Sequence, residues 1–94
     1  MRPRIPAISD VETAIKIYYG SIELGNKEIK ALFSPVGEQK VILLKRYAKA
    51  YADERDTPVW NASKVNTEMA FEAWGLNIVD LERRYNKLKK MGVI

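Results

Sequence analysis

The side chains with the clearest capacity for recognition lie in the segment that follows Gly37. Arginine and lysine can hold phosphate groups or contact the edge of guanine, and glutamine can contact the edge of adenine. If the segment is a helix with one apolar side buried, such groups project from its outer face. The residues of these types in the segment are Gln39, Lys40, Lys45, Arg46 and Lys49.

The chain has few groups from which an active site could be assembled. Its 94 residues include no histidine and no cysteine, so it lacks the commonest general base, the commonest metal ligand and a thiolate nucleophile. Its carboxylates show no metal-binding spacing, and no glycine-rich phosphate loop is present. We therefore expect a protein that is not an enzyme, with no cofactor, no metal site and no small-molecule substrate.

Composition indicates one folded domain. Hydrophobic residues make up 47% of the chain, which is normal for a globular protein and too high for a disordered one. The longest apolar run, residues 41–44, is too short to cross a membrane, and the first residues lack the apolar region of a secretory signal. We expect a cytoplasmic protein with no membrane partner. The net charge of +4 is compatible with a nucleic-acid partner.

Five helices must position the recognition side chains. They follow a flexible basic arm at residues 1–8 and form a single domain at residues 9–94. The first is predicted to begin at Ser9, which forms a capping box with Glu12, and to stop at Gly20. Asn26 is a favoured N-cap for the second helix, which ends before Pro35 because proline disfavours helix in the residue before it.

The third helix is predicted to be the longest and most apolar, running from Glu38 to about residue 54. We expect its apolar stripe to organise the core, and that stripe consists of Val41, Leu44, Ala48 and Tyr51, widened by Ile42, Leu43 and Tyr47.

The last two helices complete the predicted bundle. The fourth covers roughly residues 63–74, and the fifth is capped by Asn77 and runs to about Met91. No segment shows the alternation of a strand of useful length. The fold class is therefore all-α, a small bundle of about five helices. A winged-helix variant, with the wing near residues 56–62, remains open.

The second and third helices together resemble the helix-turn-helix of bacterial and bacteriophage DNA-binding proteins. The resemblance covers residues 20–50, and it rests on Asn-Lys-Glu-Ile-Lys-Ala-Leu-Phe at residues 26–33, a turn at residues 34–37 and the basic helix that follows. It implies a helix-turn-helix at about residues 26–54, in which the third helix of the chain reads DNA. An apolar seam between the two helices would consist of Ile29, Phe33, Val41 and Leu44.

The function predicted from this resemblance is binding of double-stranded DNA by a small transcription regulator or a phage-type DNA-handling protein. Lys27 and Lys30 would contact the DNA backbone beside the third helix. Further backbone contacts could come from the arm and the fifth helix, through Arg2, Arg4, Arg83, Arg84 and Lys87. The alternative is that the two arginines of the arm belong to a frayed terminus, and that the cations of the fifth helix stabilise its C-terminal end. An RNA partner also remains open.

The alternative function is that of a protein-interaction or assembly module, such as an adaptor or a packaging component. The helical hairpin would then be scaffold, and the charges would serve solubility. The stripe Ile78, Leu81, Tyr85 and Leu88 in the fifth helix either packs on the other helices or forms a homodimer contact.

Overall fold

A computed structural model of the chain describes residues 4–33, 35–57 and 63–92. The described residues are mostly helical, as predicted, and also contain one small sheet that the sequence did not predict. In chain order the elements are α1 (Val11–Gly20), β1 (Glu23–Leu24), α2 (Asn26–Leu32), α3 (Glu38–Asp53), β2 (Val65–Asn66), α4 (Thr67–Ala73) and α5 (Ile78–Lys90).

The start of α1 differs by one residue from the prediction. Asp10, and not Ser9, is the N-cap, because its carboxylate accepts the backbone N–H of Thr13 at 2.8 Å. Ser9 instead donates its hydroxyl to the carbonyl of Ala31 at 2.8 Å and its backbone N–H to the carbonyl of Leu32 at 2.8 Å. The predicted capping box was wrong because Ser9 makes tertiary contacts with the end of α2.

The cap of α2 is also one residue from its predicted position. Gly25 is the N-cap, Asn26 is the first helical residue, and the Glu28 carboxylate accepts the Gly25 backbone N–H at 2.8 Å. By contrast, the side chain of Asn77 caps α5 as predicted, accepting from the backbone of Val79 at 2.9 Å.

A two-stranded antiparallel sheet joins the segment before α2 to the segment before α4. Leu24 lies opposite Val65 in its register. Thr67 extends the connection, since its backbone N–H donates to the carbonyl of Ile22 at 3.0 Å and its buried hydroxyl donates to that of Ser21 at 2.6 Å. This pairing holds residues 65–66 extended, so α4 begins four residues later than predicted.

Part of the predicted wing, residues 58–62, lies outside the described residues. The winged-helix variant therefore stays a prediction.

Trp74 is the largest of the fully buried side chains among the described residues. Its ring packs edge-on against Phe33 with ring centroids 5.3 Å apart, and its indole N–H donates to the Leu44 carbonyl at 3.1 Å. The predicted seam between α2 and α3 is confirmed as buried, since its members are at most 1% exposed. These members are Ile29, Phe33, Val41 and Leu44.

The helices pack in two connected groups. α3 packs against α2 and α4, while α1 packs against α2 and α5. Leu81 of α5 is buried in the common core, and Ile78 packs against that core. The predicted packing of the α5 stripe on the other helices is therefore confirmed at these two positions. None of the helices within the described ranges is long and apolar enough to cross a membrane.

Candidate nucleic-acid interface

The outer face of α3 is uncovered along its first half. Its buried residues, which recur at helical spacing, are Val41, Leu44, Ala48 and Ala52. With 3.6 residues per turn, the opposite face carries Gln39, Leu43 and Arg46. All three are exposed. Two of the predicted recognition residues, Gln39 and Arg46, therefore lie about two turns apart on one exposed face, with Leu43 between them.

Ile42 and Leu43 are not part of the core, contrary to the prediction. Their exposed fractions are 45% and 48%. Four successive apolar residues on a helix cannot share one face, because each position turns about 100° from the last. Burying Val41 and Leu44 forces the two residues between them outward, and Ala52 completes the buried stripe. The exposed face therefore combines an amide, a cation and two apolar side chains.

The other predicted cations of α3 lie at the edges of this face and are half-buried. They are Lys40, Lys45 and Lys49. The Lys45 ammonium group donates to the backbone carbonyl of Ser63 at 2.9 Å, so this side chain is held against the segment that leads into β2. By helical position, Lys45 and Lys49 lie on one edge and Lys40 on the other.

The two predicted lysines of α2 are exposed but differ in their surroundings. The Lys30 ammonium group lies 3.5 Å from the Glu38 carboxylate at the start of α3. Such an exposed pair contributes about 0–1 kcal/mol, so it restrains Lys30 only weakly. Lys27 has no ion pair with any described residue.

Lys27 shares a depression of about 380 Å³ with two other lysines. We call it the lysine cleft, and its lining residues are Gly25, Asn26, Lys27, Glu28, Lys45, Ser63 and Lys64. Lys64 was missed by the sequence analysis because it is an isolated cation just before β2. Only the β1–β2 pairing brings it beside α2.

Charge in the lysine cleft is predominantly positive. The described ion pairs involve Lys16, Lys30, Arg55 and Arg83, and none involves a lysine of the cleft. The one carboxylate in the lining belongs to Glu28, and it accepts the backbone N–H of Gly25.

The residues of the arm and of α5 that were predicted to make further contacts with the DNA backbone do not line this cleft. Arg2 lies outside the described residues, and Arg4 is exposed on the arm. Arg83, Arg84 and Lys87 are exposed on α5, where the Arg83 guanidinium lies 3.5 Å from the Asp80 carboxylate. Because α5 packs on α1, its cations form a separate basic surface.

A second side of the molecule is acidic and aromatic. The Tyr19 hydroxyl donates to the Glu82 carboxylate, and that bond raises the pKa of Tyr19. The Tyr51 hydroxyl likewise donates to Glu72 at 2.7 Å, which raises the pKa of Tyr51. Burial raises the pKa of Tyr18. Carboxylates here repel phosphate, so this side is unsuited to a nucleic acid.

A metal centre has no candidate ligand set in the described ranges, since no group of three or more carboxylates is arranged to hold an ion.

Searches against protein-family models, curated proteins and solved structures found no match to this chain. The resemblance to helix-turn-helix proteins therefore stays a prediction, and a functional conclusion has to come from the geometry of α3 and the lysine cleft.

Proposed function

We propose that this chain binds duplex DNA, without catalysis, by placing the first half of α3 in the major groove. The observation that carries the proposal is the uncovered face bearing Gln39 and Arg46, with Lys27 and Lys45 beside it, neither of them in an ion pair with a described residue. We propose a role as a small cytoplasmic regulator or a phage-type DNA-handling protein.

The dimensions and chemistry of the exposed face suit the groove. An α-helix with its side chains is about 10–12 Å across, and the major groove is about 12 Å wide. Arg46 can donate two hydrogen bonds to guanine, and Gln39 can pair with the edge of adenine. The exposed Leu43 can contact the methyl group of thymine, a role that explains an apolar residue on this face.

The electrostatic arrangement supports the same orientation. Lys27 and Lys45 lie toward one edge of α3, where a phosphate backbone would pass. The acidic residue Glu72 bonds to Tyr51 in the second half of the helix. We infer that the first half of α3 enters the groove and the second half points away from the DNA.

The test uses a duplex selected from a random library by the wild-type protein. Arg46→Ala should weaken binding about 5- to 150-fold, the range set by a bidentate base contact of about 1–3 kcal/mol. The control is Lys16→Ala, which removes an exposed cation on α1 and should change affinity less than about two-fold. Equal weakening by the two substitutions would refute α3 as the reading element.

A protein-interaction module is the second candidate, and the exposure of Ile42 and Leu43 favours it. Neighbouring apolar side chains on an open helix face are typical of a contact with another protein. Retention on DNA that weakens with salt favours the first proposal. A wild-type protein that fails to bind duplex DNA at low salt would favour the second.

A homodimer contact through the apolar stripe of α5, the alternative to packing on the other helices, is not part of either proposal. Leu81 and Ile78 of that stripe pack within the chain.

A further inference from the structure

We propose that the lysine cleft is a binding site for a single phosphate group, occupied by one backbone phosphate of the DNA. The assignment of this phosphate to DNA rests on the proposed function. The site itself rests on the arrangement of Lys27, Lys45 and Lys64.

The three lysines come from separate parts of the chain. Lys27 belongs to α2, Lys45 to α3, and Lys64 to the segment before β2. The pairing of β1 with β2 brings the third lysine to the first two. The cleft therefore exists only in the folded protein.

Two of the three side chains are held in place. The Lys45 ammonium group is fixed by its 2.9 Å bond to the Ser63 carbonyl, which leaves two N–H donors for a ligand. The Lys64 side chain lies across Gly25, since a Cβ added to that glycine would be 3.6 Å from the Lys64 Cε. A free lysine loses rotamer entropy when a ligand fixes it. Here part of that entropy is lost on folding, before the ligand binds.

The excess of positive charge in the cleft favours the binding of an anion. Three lysines and one glutamate, Glu28, line the depression, so two positive charges are in excess, and the described ion pairs include none of the three lysines. Like charges in a shared site disfavour one another unless an opposite charge is present. A phosphate group has several acceptor oxygens, so it can accept hydrogen bonds from more than one lysine.

A phosphate held here would fix the position of α3 along the DNA. Phosphate contacts set the register of a protein on the duplex, while base contacts supply sequence preference. Lys45 connects the two functions because it belongs to α3 and is followed directly by Arg46. We infer that Lys64 contributes to DNA binding by contacting the phosphate backbone of the DNA, and that it leaves base preference unchanged.

The first test measures the salt dependence of binding to the selected duplex. Lys64→Gln should flatten the slope of log affinity against log salt by only part of about 0.9, the value for one phosphate contact, because Lys27 and Lys45 still neutralise the shared phosphate. A triple variant with glutamine at residues 27, 45 and 64 should flatten the slope by the full value of about 0.9, because the three lysines share one phosphate. Lys16→Gln is the matched control and should leave the slope unchanged. A slope that the triple variant leaves unchanged, or flattens by about three times this value, would overturn the single-phosphate site.

The second test separates this inference from the proposed function. Inorganic phosphate is titrated into ¹⁵N-labelled wild-type protein at constant ionic strength, with chloride as the reference anion. We expect amide shifts at Gly25, Asn26 and Lys64, and their loss in a folded Lys64→Gln variant. These shifts in a protein that does not bind DNA would support the site and refute the proposed function. DNA binding through α3 without these shifts or the slope change would refute the site alone.

Discussion

Replacing Trp74 by phenylalanine is expected to lower the free energy of unfolding by about 2 kcal/mol, from two terms of similar size. The indole hydrogen bond to the Leu44 carbonyl contributes about 1 kcal/mol, and that carbonyl keeps its own helical partner after the substitution. Phenylalanine also buries about 40 Å² less surface, worth about 1 kcal/mol.

Urea unfolding followed by circular dichroism at 222 nm measures this difference. For a chain of this length, a loss of about 2 kcal/mol corresponds to a fall in melting temperature of about 8–16 °C. Val79→Ala, at a side chain that is 61% exposed on α5, is the matched control and should change stability by less than about 0.5 kcal/mol. A Trp74→Phe variant as stable as this control would show that the indole does not link α4 to α3 as described.

Three further substitutions test the surrounding structure by the same urea assay. Thr67→Val should cost about 1–2 kcal/mol, because the buried bond to the Ser21 carbonyl is lost; wild-type stability would contradict that bond. Asp10→Ala should cost about 1 kcal/mol at neutral pH by removing the N-cap of α1. Because the bond from the Thr13 backbone lowers the pKa of Asp10, this contribution is present above the ordinary value of 3.8 and is lost as the pH falls through the lowered pKa. A cost that persisted unchanged in acid would refute a role for the ionised carboxylate. Leu43→Gln, which keeps a residue of similar helix propensity, should change stability by less than about 0.5 kcal/mol, and a loss of several kcal/mol would place Leu43 in the core.

The helices could be predicted because local signals and burial agree along most of the chain. The spacing of Val41, Leu44 and Ala48 predicted the longest helix and its buried side. Asn77 predicted the start of α5, because its cap bonds are made within the first turn. Ser9 and Asn26 also carry strong capping signals, and both predictions were one residue out. In the case of Ser9, a contact with α2 decides the outcome, and no pattern around residue 9 contains that contact.

The sheet and the lysine cleft depend on contacts between distant residues. Each strand has two residues, which is too short to show alternation. Lys64 enters the candidate site only through the pairing of Leu24 with Val65. The exposed pair Ile42 and Leu43 could have been predicted from helix geometry, because four successive apolar residues cannot all face one core.

A map of backbone amide shifts when the selected duplex binds ¹⁵N-labelled protein tests directly whether α3 enters the groove. We expect the largest shifts in the first half of α3, at Gln39, Leu43 and Arg46, with smaller shifts along the lysine cleft. Largest shifts on α5, or on the acidic side around Tyr18, with α3 unchanged would contradict it.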